Sequence, residues 1–263
     1  SLKTNWMRYH LTLCNGALEL CVVKVREGAE VIGKKFMSGF FDHGCYRVVS
    51  IKRGQETIIP TGSDEIKADD MVYAVCTQDN MKVLQEHLGK KEKKIKNIIF
   101  FGGSKIAIKT LQSLPDDLNI KILETNRDLC YQLSEKINNA LIINADGSDM
   151  ATLKEEGIED ADAFVAVTDS SEANIFACMA AKRFGVKKTI AEVENIDYIS
   201  MAEGLDIGTV LNKKTIAASY IYQMLLDASV LNVRNLTSAD AEIVEFMVEE
   251  GYRITKNKIR DMH

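Results

Sequence analysis

Two kinds of hydrophobic spacing divide the chain near residue 90. Before it, short apolar runs stand between turn residues: ELCVVKV at 19–25, YRVVSI at 46–51, TIIP at 57–60 and MVYAVC at 71–76, separated by Gly28, Gly33, Gly39, Gly44, Gly54 and Gly62. Runs of this length bounded by glycine predict strands. Met81, Leu84 and Leu88, spaced three and four apart, predict one short helix over 80–87. Residues 1–89 therefore read as a small, sheet-rich α+β module.

From residue 97 the period changes. NIIFF (97–101), IKILE (120–124), ALIINA (140–145), AFVAV (163–167) and TIAEV (189–193) are short and almost wholly apolar. Helical spacings lie between and after them at 106–114, 129–137, from Ser148, at 173–184 and at 198–204. Strands buried on both faces read as continuous apolar runs, and strand–helix alternation closes into a parallel sheet with crossovers on both faces. The expected fold class is α/β, with a doubly wound, Rossmann-like domain at 97–231. An amphipathic helix over 214–229 ends it, with Ile216, Tyr220, Met224 and Leu225 along one side. That stripe suits packing on its own sheet or against a second lobe. Between the two modules, residues 90–96 form a lysine-rich segment that reads as a solvated linker.

The tail resumes the style of the first module. Shifted by 223 positions, Leu13, Glu19, Val25, Glu27, Gly28 and Lys35 fall on the identical residues Leu236, Glu242, Val248, Glu250, Gly251 and Lys258. Leu20, Val31 and Phe36 fall on Ile243, Ile254 and Ile259. Residues 232–263 are thus expected to be the truncated start of a second copy, in a chain that opens on Ser1 and is a piece of a longer tandem protein.

Composition narrows the function classes. With 46% hydrophobic and 27% charged residues the chain is globular, and a net charge of −5 excludes a broad basic surface for nucleic acid. The six cysteines and four histidines are scattered without paired or ligand spacing, which points to a reducing compartment and to no metal site.

The candidate chemistry lies at the first βα turn, FFGGSKIA at 100–107. Against GxGxxG/A, Gly102 supplies the first glycine, Ser104 replaces the second and Ala107 occupies the third. The helix that follows offers unpaired N–H groups to a phosphate. Glu124 ends the second strand 22 residues past Gly102, where a carboxylate accepts from ribose hydroxyls and repels a 2′-phosphate, favouring NAD or adenosine nucleotides over NADP. Loops at 145–149 and 168–172 follow the third and fourth strands, with Ser148 and Ser171 suited to helix N-caps. A second glycine run, 28–35, imitates a P-loop, but Lys35 stands where Ser or Thr must reach magnesium.

The runs ETNRDLC (124–130), ADGSD (145–149), EGIEDAD (156–162) and 168–174, with ELCVVKV, VVSIKRG and IIPTGSDEIKADDMVYAV before them, resemble the TrkA family. These are RCK-type regulators of Trk and Ktr potassium uptake. The resemblance implies an RCK-C domain at 1–89, an RCK-N domain at 97–231 and the start of a second RCK-C domain at 232–263. It implies binding without turnover, with no catalytic residue: a cytoplasmic subunit, peripheral at the inner face of the plasma membrane, whose lobes form homo-oligomeric rings on a potassium-translocating membrane subunit of Trk or Ktr type. The ligand would be NAD/NADH or ADP/ATP, and its binding would change ring shape and so potassium flux. By position, Gly102, Gly103 and Ser104 would border the phosphates, with Lys105 and Ile106 opening the helix. Glu124 would hold the ribose, Arg127 a phosphate or ribose edge, Asp146 and Gly147 the adenine side, and Thr168 and Asp169 the mouth. Ser104 and Ala107 depart from the family's usual glycines, and Glu192 from a frequent arginine. The same module also serves other cation transporters and antiporters. An NAD-dependent oxidoreductase would need an acid, base or hydride-accepting pocket, and no such constellation is identifiable.

Overall fold

The computed structural model describes residues 5–91, 94–225, 230–236 and 241–256. Two compact units divide the chain, Ser1–Lys213 and Lys214–His263.

The first unit opens with an antiparallel sheet of β1 (Tyr9–Leu13), β2 (Leu18–Lys24), β3 (Tyr46–Arg53), β4 (Glu56–Ile58) and β5 (Met71–Cys76), in the spatial order β1-β2-β5-β3-β4. Its core gathers Cys21, Val23, Ile51, Val72 and Ala74 against Leu84 and Leu88, which hang from and just beyond α1 (Met81–His87). The helix begins one residue later than its spacing implies, because a 3₁₀ turn over Gln78–Asn80 leads into it.

A parallel sheet follows. Its strands are β6 (Asn97–Phe101), β7 (Asn119–Glu124), β8 (Leu141–Asn144), β9 (Ala163–Ala166), β10 (Lys188–Glu192) and β11 (Thr209–Leu211). The helices are α2 (Lys105–Leu111), α3 (Arg127–Lys136), α4 (Met150–Glu155), α5 (Ser171–Arg183) and α6 (Asp197–Gly204). Alternate residues of each strand serve opposite faces. Thus Ile99 and Phe101 join the core under α4 to α6, while Ile98 and Phe100 join the one under α2 and α3. The strand order β8-β7-β6-β9-β10-β11 places β6 beside β9, although β7 and β8 intervene in sequence. That reversal is the switch point at which doubly wound sheets bind ligands.

Two helix starts differ from their expected caps. Asp149, not Ser148, caps α4, accepting from the N–H groups of Ala151 at 3.4 Å and Thr152 at 3.0 Å. Ser170, not Ser171, caps α5 and accepts from Ala173 N–H at 3.1 Å. The Ser171 hydroxyl instead accepts from the N–H of Glu194, tying α5 to the segment after β10. In each case a neighbouring residue holds the extended backbone that a cap requires.

The two sheets of the first unit meet along a charged seam. Asp206 binds Arg8, Lys24 and Arg26 together. The Lys188 ammonium donates to the Met7 carbonyl at 2.7 Å. Lys90 departs from the expectation of a solvated linker: it is half-buried here, with Lys91 beside it.

In the second unit, β12 (Val230–Leu236) and β13 (Ala241–Phe246) form a hairpin. Its pairs Leu236–Ala241, Asn235–Glu242 and Arg234–Ile243 reproduce Leu13–Leu18, Thr12–Glu19 and Leu11–Leu20, each residue 223 positions further on. The matches of Lys35 with Lys258 and Phe36 with Ile259 lie outside the described residues, as do 226–229 of the predicted long helix. That helix, α7, spans Lys213–Leu225, and its Ile216, Tyr220, Met224 and Leu225 side chains are all exposed. Among the described residues no helix is long and apolar enough to cross a membrane.

Candidate functional site

The glycine turn sits at the carboxyl end of β6. Gly102 adopts φ +100°, and a β-carbon there would lie 2.9 Å from the Thr168 N and 3.0 Å from the Val167 carbonyl oxygen. Only glycine lets the turn after β6 approach the loop after β9 so closely. Gly103 is equally confined: a β-carbon would stand 2.3 Å from Leu133 Cδ1 and 3.2 Å from Glu124 Oε2. Gly103→Ala is therefore expected to lower stability by about 1–3 kcal/mol through overpacking, measurable by urea denaturation. An unchanged midpoint would show that Leu133, though buried, can move aside.

Glu124 organises this turn. Its Oε2 accepts from Gly103 N–H at 2.7 Å, and its Oε1 accepts from Asn126 N–H at 2.8 Å and the Thr125 hydroxyl at 3.4 Å. The carboxylate thus joins the first and second βα turns, where sequence position alone places it on a ribose. Asn126 then caps α3, accepting from Asp128 and Leu129 N–H groups at 3.0 and 3.1 Å. Asn144 donates from its amide to the Glu124 and Thr125 carbonyls, both at 2.9 Å, drawing the end of β8 to the same turn.

The remaining candidates divide into two groups. Gly102, Gly103, Glu124 and Thr168 are brought together, and Gly147 packs directly on Phe101, where a β-carbon would be 2.6 Å from the ring. Ser104 caps α2 with its hydroxyl toward Ala107 N–H, at 3.5 Å, so the group that replaces glycine is drawn into helix initiation. Asp146 is exposed and folds back on Ser148, accepting from its N–H at 2.8 Å and its hydroxyl at 2.7 Å. Arg127 donates to the Tyr131 hydroxyl at 3.1 Å on its own helix. Lys105 and Asp169 are exposed, and Ile106 is half-buried at the start of α2.

Asn174 is a residue that sequence reading left inside a motif without a role. Its Oδ1 accepts from Thr168 N–H at 3.0 Å and the Thr168 hydroxyl at 2.7 Å. Its amide donates to the carbonyls of Thr168 and Glu192, both at 2.9 Å. Fully buried, it fixes the loop facing Gly102. A signal was present, since an asparagine inside an apolar helix face must find polar partners. Glu192 is buried at the end of β10 and lies 2.5 Å from the Lys213 ammonium, which also reaches Glu194 at 2.8 Å. Its charge is therefore matched by a cation from the start of α7.

A doubly wound sheet with a glycine turn at its switch point, a carboxylate ending its second strand and a small antiparallel module before it make up a Rossmann-like α/β lobe of the kind that binds ligands at its switch point. The TrkA-N domain model matches residues 98–213 and the TrkA-C domain model residues 20–89. The chain belongs to the TrkA/RCK family. It is 30% identical over 246 residues to the Trk system potassium uptake protein TrkA of Haemophilus influenzae, covering 92% of this chain and 53% of that protein. It is 28% identical over 237 residues to the protein of the same name from Halomonas elongata, covering 89% and 52%. The chain thus spans about half the length of the curated relatives it matches. In fold it is similar to the GsuK RCK domain (TM-score 0.56, 16% identity, 82% of this chain and 47% of that one). It is likewise similar to the GsuK channel bound to NAD (TM-score 0.57, 15% identity, 85% and 41%).

Proposed function

We propose that the chain is the nucleotide-sensing part of a regulatory subunit of potassium uptake. Adenosine nucleotide binds at the switch point between β6 and β9 and biases the shape of an assembly of such lobes, which in turn sets flux through a separate membrane subunit. The observation that carries this reading is the turn itself: Gly102 against Thr168, with Glu124 holding Gly103. It is a close-fitting backbone cradle with a carboxylate behind it, at the place where dinucleotide-binding sheets hold a pyrophosphate and a ribose. The names of the relatives and the NAD-bound channel of similar fold support the same assignment.

Glu124 answers to both roles. To accept from ribose hydroxyls, its oxygens must share or exchange the N–H groups they hold here, so ligand binding at this carboxylate is coupled to the set of the glycine turn. Its negative charge favours NAD, NADH, ADP or ATP over NADP. The function proposed is binding without turnover. The exposed stripe of α7 is the surface through which lobes would associate.

The test is thermal denaturation of the full-length protein against a nucleotide panel. A ligand at about 100 times its dissociation constant adds about 2.7 kcal/mol of stability. NAD, NADH, ADP or ATP is expected to raise the melting temperature, with NADP weaker. If none of the four stabilises the protein, the reading fails. To regulate, the ligand must also prefer one shape over another, since equal affinity for both shifts nothing.

A further inference from the structure

The crevice at Gly102 lies at the carboxyl ends of the parallel strands. At their amino ends, where the small antiparallel module packs, a cavity of about 400 Å³ opens, bounded by Lys188 at the head of β10, Ile95 ahead of β6 and Asp162 ahead of β9. Of the fourteen residues lining it, eight are lysine or arginine and one is acidic. We propose that this cavity is a second ligand site, built for a linear polyphosphate group and separate from the crevice at Gly102.

The charges come from both modules and exceed their local partners. Asp206 alone is shared by Arg8, Lys24 at 3.5 Å and Arg26 at 2.6 Å. Asp69 reaches Lys24 and Arg26, at 3.3 and 3.5 Å, and Glu203 acts on Arg8 through its charge. The acidic lining residue, Asp162, already accepts from the backbone N–H groups of Lys96 and Asn97 at 2.9 and 3.1 Å. Lys188, 5% exposed, donates to the Met7 carbonyl and to the Thr209 hydroxyl, both neutral. Lys90 and Lys182 stand half-buried on the same walls.

This crowding has a measurable signature. Burial, then the repulsion of Arg8 and Lys182, pushes Lys188 down to about 7. Burial, then Arg26 and Arg8, pushes Lys90 down to about 8. Burial and Arg8 likewise lower Lys182. Like charges gathered out of water work against the fold unless an anion joins them. A cavity this size exceeds one phosphate, and its cations face one another across the seam between modules. A chain of two or three phosphates meets both walls at once. Arginine supplies planar forks for the oxygens and lysine supplies point charges.

The cavity carries its own reporter, because Trp6 is in its wall and is the single tryptophan of the sequence. In low-salt buffer, inorganic tripolyphosphate added to the intact chain is expected to change Trp6 fluorescence saturably and to raise the melting temperature, with an affinity that falls steeply as salt is added. The double variant K90Q/K182Q removes two partly exposed cations without touching the hydrogen bonds of Lys188. It should bind tripolyphosphate about tenfold or more weakly. Its own melting temperature should be equal to or above that of the parent, since two mutually repelling charges are gone. Competition by ATP on the same indole signal would place the phosphate chain on a nucleoside, and its absence would leave the free polyanion as the ligand; either result supports the site. Tripolyphosphate has no adenosine, so the outcome is independent of the reading at Glu124. The proposal is overturned if no saturable change occurs up to millimolar tripolyphosphate, or if K90Q/K182Q responds like the parent.

Discussion

Replacing Glu124 by alanine is expected to cost about 2–4 kcal/mol of stability, since one charge-assisted bond to buried backbone at Gly103 and one to part-buried backbone at Asn126 are lost, and to abolish stabilisation by nucleotide in the same variant. Glu124 is 9% exposed, and its carboxylate is the acceptor for the N–H groups of Gly103 and Asn126. Truncation strands both donors, in a turn whose glycines leave little room to rearrange. Glu124→Gln retains one carbonyl oxygen but turns an NH₂ group toward the other donor, and it should lose an intermediate amount. Urea denaturation with and without NAD separates the two effects. Loss of stability with full retention of the nucleotide effect would make Glu124 a purely structural strut. An unchanged midpoint would remove it from the turn altogether.

The second large effect is expected at Lys213. The Glu192 side chain is 3% exposed, and the Lys213 ammonium lies 2.5 Å from it. Removing the lysine leaves the buried carboxylate without its cation, a cost that solvent access to Lys213, nearly half exposed, reduces to about 1–3 kcal/mol. Lys213→Met should therefore destabilise the chain. Hydrogen bonding to Glu192, then to Glu194, raises the Lys213 ammonium above its ordinary value. A base raised in the folded state contributes its full stability below its unfolded value and loses it only as pH climbs through the folded one. The bridge is accordingly intact across the neutral range and fades only in strong alkali. Adding Glu192→Gln to Lys213→Met should restore most of the loss. A double variant as unstable as the single one would show that the lysine stem, not the charge pair, matters.

The parallel sheet was legible in the sequence because its strands are buried on both faces. Runs such as NIIFF and AFVAV admit few other readings, and helical spacing between them fixes the crossovers. The glycine turn and Glu124 were legible as positions, since a fixed strand–turn–helix frame dictates which residues face the switch point. What the carboxylate touches was not legible. Whether it accepts from a ribose or from Gly103 depends on side-chain rotamers in a turn whose shape spacing does not encode. Helix caps moved by one residue for the same reason: in ADGSD and TDSSE several residues can cap, and backbone angles choose among them. Lys213 and the basic seam escaped because their partners are remote in sequence, whereas Asn174 lies only six residues from its partner Thr168 and was passed over inside the motif. Lys188 meets Met7, and Arg8 meets Asp206, across spans that no local pattern relates. In the lysine run at 90–96, Lys91, Lys94 and Lys96 are exposed, as a charged stretch suggests, and Lys90 alone of its described lysines is half-buried, against other cations.

Strand β10 is five residues long and carries an ionic side chain at each end, Lys188 and Glu192, both buried. They stand four positions apart, on one face and about 13 Å from each other. The ammonium is fastened to the antiparallel module through Met7, the carboxylate to Lys213 at the head of α7. A slip of a single residue against β9 or β11 would turn both groups to the opposite side and leave each without its mate. Thr189, between them, donates its hydroxyl to the Ile207 carbonyl, and Ile190 and Ala191 serve opposite cores, so the same slip would break that bond and exchange a large side chain for a small one. The alignment of this half of the sheet is therefore keyed by its two terminal ions together with the residues they bracket.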